Sequence, residues 1–156
     1  MLYYAIAQHQ HHIVQYLIDP NHTSLIIKPP SPPTDFNNNT PLLIAVEYGN
    51  KSAVDACLAA YPDDVHRVNS NGADALILAA IKGDHDLVVR LLQVGMNVNS
   101  KDSDGSTPLH HASAYGHVAC IDVLLHHGAN RAVLNKKGWS PIDYSFSFGI
   151  MEQFKT

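Results

Sequence analysis

The sequence predicts an all-α fold, a solenoid of helix–turn–helix repeats in which each unit carries a projecting β-turn. Three observations predict it. First, every glycine is locked to one period. Gly49, Gly83, Gly116 and Gly149 are separated by 34, 33 and 33 residues; Gly72, Gly105 and Gly138 by 33 and 33; Gly95 and Gly128 by 33. A period of this length marks stacked supersecondary units. Second, the segments between these glycines carry apolar residues at helical spacing. Third, 46% of the 156 residues are hydrophobic and 15% are charged, which is enough for a core and the length of one domain.

The clearest unit starts at Asp102 and reads DSDGSTPLHHASAYGHVACIDVLLHHGANRAVL. Asp102 and Gly105 bracket a tight turn, the carboxylate bonding nearby backbone and the glycine taking positive φ. Thr107 is placed to accept a bond from a helix amide, and Pro108 suits the first helical position. The first helix carries Leu109 and Ala112 and ends at Gly116 in a left-handed cap. The second puts Cys120, Ile121, Leu124 and Leu125 on one face and ends at Gly128. In the preceding second helix Leu92 is assigned the core position matching Leu124.

These residues resemble the ankyrin repeat family, whose TPLH-x-A…G-H…LL-x-x-G-A pattern the unit follows almost throughout. TPLLIAVEYGN from Thr40 is similar, DALILAAIKGD…LLQVGMNVNSKD from Asp74 keeps the skeleton, and WSPIDYSFSFG from Trp139 matches a first helix. Asp74 and Ser140 replace threonine but remain helix-capping residues. The resemblance implies that His110 bonds between adjacent units. Leu43, Ile77 and Asp143 hold that position elsewhere, so their units rely on packing.

The alignment divides the chain, as a single domain 1–156, into a partial repeat 1–21, a Pro/Asn-rich insertion 22–34, full repeats 35–68, 69–101 and 102–134, and a C-terminal partial repeat 135–156. In the first, Leu2, Ala5, Ile13, Val14, Leu17 and Ile18 fill apolar positions, with His9 in a glycine slot and Asn21 at the second helix end. Its turn is missing, so either a stripped cap opens the chain or upstream sequence precedes it. Ala5 to Ala45 spans 40 residues, an excess of seven over the period. The excess falls in a loop whose PPSPP around Ser31 is a stiff linker, a polyproline ligand or a phosphorylation site. One extra residue after Leu58, with YPDD in place of Gly-Ala, predicts a distorted turn at Tyr61–Asp64.

Charge and composition exclude several functions. A net charge of −4 argues against a broad nucleic-acid-binding face. No run approaches the ~18 apolar residues of a membrane span. Residues 1–18 lack the basic start and cleavage site of a signal peptide. Two cysteines, Cys57 and Cys120, make no disulfide framework and are expected as reduced core thiols. Eleven histidines invite a metal reading, notably His9, His11 and His12, the set His110, His111 and His117, and the pair His126 and His127. No three or four of them show the spacing of a converging ligand set. No catalytic motif or phosphate-cradling loop is present, so neither enzymatic activity nor a cofactor is expected. Leu91 and Asn99 share the spacing of hydroxylated ankyrin asparagines.

A partner is expected on the concave side and the turn tips. By register these positions are Phe36, Asn37, Asn39, Glu47 and Tyr48, then Ser70, Asn71, Ala73, Ile81 and Lys82. Ser103, Asp104, Ser106, Ala114 and Tyr115 follow, and lastly Lys136, Lys137, Trp139, Ser147 and Phe148. Tyr48, Lys82, Tyr115 and Phe148 share one position in successive units, and large amphipathic rings are common binding anchors. The predicted partner-binding set is Tyr48, Lys82, Asp104, Tyr115, Trp139 and Phe148. The resemblance implies a monomeric, intracellular, cytoplasmic or nuclear protein-interaction module acting as adaptor, scaffold or assembly factor, with no nucleic acid and no membrane as partner. Two ankyrin groups fit: proteasome-assembly chaperones and, from the closing GWSPIDYSFSF, accessory subunits of fungal target-of-rapamycin kinase complexes. A nucleic-acid-linked factor and a histidine-based metal binder are the readings from other classes.

Overall fold

A computed structural model describes residues 34–145 and Phe154. The expectations for the partial repeat 1–21, for insertion residues 22–33, and for Ser147 and Phe148 lie outside the described residues. Among the described residues the fold is all-α, with seven α-helices, one 3-10 helix and no strand. The chain divides into two compact units, residues 1–70 and 71–156.

The first unit holds α1 (Pro41–Glu47), α2 (Lys51–Ala60) and a 3-10 helix (Pro62–His66). Thr40 Oγ1 accepts from the Leu43 amide at 3.3 Å, and Pro41 occupies the first turn. Asn50 Oδ1 accepts from Ala53 and starts α2. The turn before α1 is built on Asp35, whose Oδ1 accepts from the Asn37 and Asn39 amides at 2.9 and 2.8 Å. Asn38 takes the left-handed position with φ 58°, where the later units have glycine; asparagine tolerates this region because its short amide bonds locally. Its Nδ2 donates to the Val68 carbonyl at 2.9 Å. The extra residue after Leu58 is absorbed by the 3-10 helix, which buries Val65, so the expected irregular turn at Tyr61–Asp64 is present.

The second unit holds α3 (Ala75–Lys82), α4 (His85–Gln93), α5 (Pro108–Ala114), α6 (Val118–His126) and α7 (Pro141–Ser145). First helices α3, α5 and α7 pack in succession, and second helices α4 and α6 pack on each other. Each described second helix buries the same triplet at i, i+1 and i+4: Ala53, Val54 and Cys57; Leu87, Val88 and Leu91; Cys120, Ile121 and Leu124. Two expectations are corrected. Leu91, not Leu92, is the core counterpart of Leu124, and Leu92 is half-buried. Leu125 is also half-buried, because a 100° step per residue turns position i+5 off the buried stripe.

The helix starts follow the predicted caps in part. Asp74 Oδ1 accepts from Ile77 at 2.8 Å, and Asp84 Oδ1 from Leu87 at 3.1 Å. Ser140 works in the reverse sense, donating its amide and hydroxyl to Asp143 Oδ2 at 2.6 and 2.7 Å. Thr107 has both halves. Its Oγ1 accepts from the His110 amide, and its own amide donates to His110 Nδ1 at 3.0 Å. A backbone amide can only donate, so Nδ1 is the accepting nitrogen and Nε2 carries the proton. Nε2–H then donates to the Trp139 carbonyl at 3.0 Å, tying this unit to the next as the resemblance implied.

This arrangement requires a neutral ring. Burial pushes the His110 pKa below its ordinary value, reinforced by neighbouring His111 and opposed by the Trp139 and Val133 carbonyls and by Asp102. The folded-state pKa therefore lies below that of the unfolded chain, ~6.5. Stability from this residue is complete above the unfolded value and is lost as pH falls below it towards the folded one. Melting curves collected from neutral to acidic pH are expected to show a steeper acid loss for the native chain than for His110→Gln. Equal slopes would remove His110 from the acid response.

Candidate functional site

The projecting turns form a backbone ladder. In the second unit Ser103 N–H donates to Asn71 O and Lys136 N–H to Asp104 O, both at 2.9 Å; in the first, Ser70 N–H donates to Asn37 O at 2.8 Å. Three of the turns are closed by an Asx side chain, the first by Asp35 as described above. Asp102 Oδ1 accepts from the Asp104 and Ser106 amides, and Asn135 Oδ1 from the Lys137 and Trp139 amides. The residues between are held outward on rigid supports.

Five of the six sequence-predicted site residues are described. Tyr48 is half exposed at the end of α1, in the first unit. Lys82 ends α3 and Tyr115 caps α5, so the packing of these helices brings the two to matching helix ends. Both Tyr115 and Lys82 are exposed. Asp104 and Trp139 stand exposed on successive turns joined by the Lys136–Asp104 bond. Phe148 lies outside the described residues.

Three turn positions are corrected. Asn39, Ala73 and Ser106 are buried, not available to a partner. Asn39 Nδ2 donates back to Asp35 Oδ2, and Ser106 Oγ accepts from Asn135 Nδ2 at 3.2 Å. Trp139 has the same register but is 49% exposed. Its ring meets Tyr144 edge-on at 5.2 Å, and Tyr144 meets His110 edge-on at 6.2 Å, so the indole is braced on one side and wet on the other.

Sequence reasoning missed the role of His117 in shaping this face. Its ring stacks on Tyr115, with centroids 6.0 Å apart and planes 20° off parallel, while Nε2 bonds the Ile81 carbonyl at 3.0 Å. It lies directly over Gly83: a Cβ there would sit 2.6 Å from Nδ1. The detectable signal was the Gly116–His117 pair one period after Gly83. Asn99 is likewise an inter-repeat link, its Oδ1 accepting from the Asn130 amide at 2.7 Å.

The chemistry available is that of recognition. Among the described residues no three His, Cys, Asp or Glu side chains converge as a metal site. His111 pairs with Asp102 at 2.7 Å and His85 with Asp86 at 3.2 Å. His9, His11 and His12 lie outside the described residues. Cys57 and Cys120 are free and buried, and burial pushes their thiols up to about 12 and about 11 respectively, the Asp84 charge adding to the second. Such thiols are not reactive nucleophiles. A pocket lined by Thr40, Pro41, Leu42, Cys57, Tyr61 and Asp64 has a volume of about 10 Å³, far below the ~300–1,000 Å³ of small-molecule sites. No helix among the described residues is long and apolar enough to cross a membrane.

Comparison with known proteins agrees with this architecture. The family model "Ankyrin repeats (3 copies)" matches residues 56–137, and an "Ankyrin repeat" model matches residues 37–67. The chain is 32% identical over 122 residues to glycerophosphocholine phosphodiesterase gde1 of Schizosaccharomyces pombe, covering 76% of this chain and 11% of that protein. It is 28% identical over 153 residues to target of rapamycin complex 2 subunit AVO2 of Saccharomyces cerevisiae, covering 96% of this chain and 34% of that protein. To human ankyrin repeat domain-containing protein 13C it is 30% identical over 130 residues, 83% of this chain and 20% of that protein. The chain thus spans about a third or less of the length of these relatives. It belongs to the ankyrin repeat family, whose repeats are protein–protein interaction modules.

Proposed function

We propose that this ankyrin repeat chain is a non-enzymatic adaptor or assembly subunit that holds a protein partner through Tyr48, Lys82, Asp104, Tyr115, Trp139 and Phe148. The observation that carries the reading is the half exposure of Tyr115 and Trp139 on rigid supports, at helix and turn ends of the second unit. Interface energy concentrates in such anchors. The finer reading is an accessory subunit of a multiprotein complex of the target-of-rapamycin type. It is supported by a likeness to AVO2 that runs over 96% of the chain and 34% of that protein, whereas the likeness to the phosphodiesterase runs over 76% of the chain and 11% of that enzyme. Two free buried thiols suit a reducing compartment, cytoplasm or nucleus, where we place the monomer.

Site-specific photo-crosslinking tests the face directly. A photoreactive residue at position 82 or 104 is expected to trap one protein partner in cell extract, whereas one at Asp122 or His126, exposed on α6, is expected to trap none. The reverse pattern would move the binding surface to the second helices.

A further inference from the structure

The turns of the second unit carry an uneven charge. Lys101, Lys136 and Lys137 are exposed, and none makes an ion pair among the described residues. The carboxylates of the same turns are placed differently. Asp74 is buried as the cap of α3, its Oδ1 2.8 Å from the Ile77 amide. Asp102 uses one oxygen on two backbone amides and the other on His111. Within the turns only Asp104 is exposed; Asp143, exposed on the first turn of α7, has one oxygen taken by the Ser140 amide and hydroxyl. Formal charges would cancel, but the solvent-facing charge is three ammoniums against one carboxylate, on a chain whose net charge is −4.

Apolar surface accompanies these lysines. Leu134 is 58% exposed just before the turn and Trp139 just after its tip. The Asn135 amide donates to the Trp139 carbonyl at 3.0 Å, so the turn closes and brings its two ends together. The result is a basic tip with an exposed apolar residue on each flank, beside Lys101 of the adjoining turn.

We propose that this edge docks an extended acidic segment of a partner protein, its carboxylates meeting Lys101, Lys136 and Lys137 and a large apolar side chain of the segment seated on Trp139 and Leu134. This names the partner chemistry of the interaction proposed above and rests on that reading. Three lysines with Asp104 among them neutralise too few phosphates for a nucleic acid, and the net negative charge repels a long polyanion or an anionic lipid surface. A short acidic segment meets only the local charge. Its apolar residue supplies the buried contact that exposed ion pairs lack.

Trp139 is the only tryptophan of the chain, so its fluorescence reports this edge. The full chain is titrated with a synthetic Asp/Glu-rich peptide carrying a central leucine, its Lys-rich counterpart, polyuridine RNA, and phosphatidylserine vesicles. The acidic peptide is expected to give a saturable change that weakens about tenfold in high salt. Lys136→Glu with Lys137→Glu is expected to weaken it about tenfold or more at unchanged melting temperature, while arginine at both positions retains it. Tighter binding of the basic peptide, RNA or vesicles would overturn the proposal, as would peptide binding indifferent to the charge reversal. Absent peptide binding alongside intact crosslinking through positions 82 and 104 overturns the acidic-segment inference alone. Specific peptide binding without crosslinking supports the edge and removes the wider partner face.

Discussion

Replacing Leu124 or Leu91 with alanine is expected to cost ~2–5 kcal/mol each. Both side chains are fully buried and close the i, i+1, i+4 triplet of a second helix, on α6 and α4. Each truncation removes the transfer free energy of the lost methyl and methylene groups and leaves a cavity that close packing cannot fully collapse. Domains of this size are stable by only ~5–15 kcal/mol, so either change is large enough to lower the denaturation midpoint visibly. Leu92→Ala and Leu125→Ala, at half-buried neighbouring positions, are expected to cost clearly less. Urea unfolding followed by circular dichroism ranks the four. Leu92 costing more than Leu91 would put the register of α4 one residue out.

Gly83→Ala is expected to be more damaging than the same exchange at Gly49, Gly95 or Gly128. Gly83 has φ +75°, where alanine costs ~1–2 kcal/mol in any surroundings. Here the added Cβ also meets three atoms of the His117 ring, at 2.6, 2.7 and 2.8 Å. The ring must swing away, giving up its bond to Ile81 O and its stack on Tyr115. Gly95, at φ +89°, has nothing within 4 Å of the place a Cβ would take and serves as the reference. Gly83→Ala is expected to cost ~1 kcal/mol or more beyond Gly95→Ala, about one lost hydrogen bond with its packing. In a His117→Ala background the excess should vanish, a coupling that a double-mutant cycle measures directly. An excess that survives without the imidazole would assign it to backbone strain alone.

Much of the repeat was legible because its constraints are local. Positive φ at regular intervals needs glycine, and the start of each first helix needs an acceptor side chain; hence Gly72, Gly105, Thr107 and Asp74 stand at readable positions. Asn38 escaped a glycine-based reading because asparagine can take the same conformation. Helical periodicity alone could not choose between adjacent leucines, and the choice of Leu91 over Leu92 appears only when three second helices bury the same triplet. The exposure of Tyr48, Lys82, Asp104 and Tyr115 is what their register predicts, whereas Trp139 is exposed at a register that is buried in the other units. Asn39, Ala73 and Ser106 have the register of surface positions, yet the turns fold over them, at Asn39 and Ser106 through bonds to Asp35 and Asn135. The lysine imbalance was hidden because Asp74 and Asp102 count fully in a sequence sum while their oxygens are spent on amides and on His111.

Binding and folding are expected to fall to different residues of the same units. The most direct test is the affinity of Tyr115→Ala with Trp139→Ala for the partner trapped through positions 82 and 104, measured beside its helical content and melting temperature. The two rings are half exposed, so melting is expected to fall by no more than about 5 °C. Each ring is expected to contribute ~2 kcal/mol or more to the interface, which weakens binding by hundreds-fold or beyond for the pair. An unfolded double variant would assign the rings to the core. A folded one that binds the same partner with undiminished affinity would contradict the account.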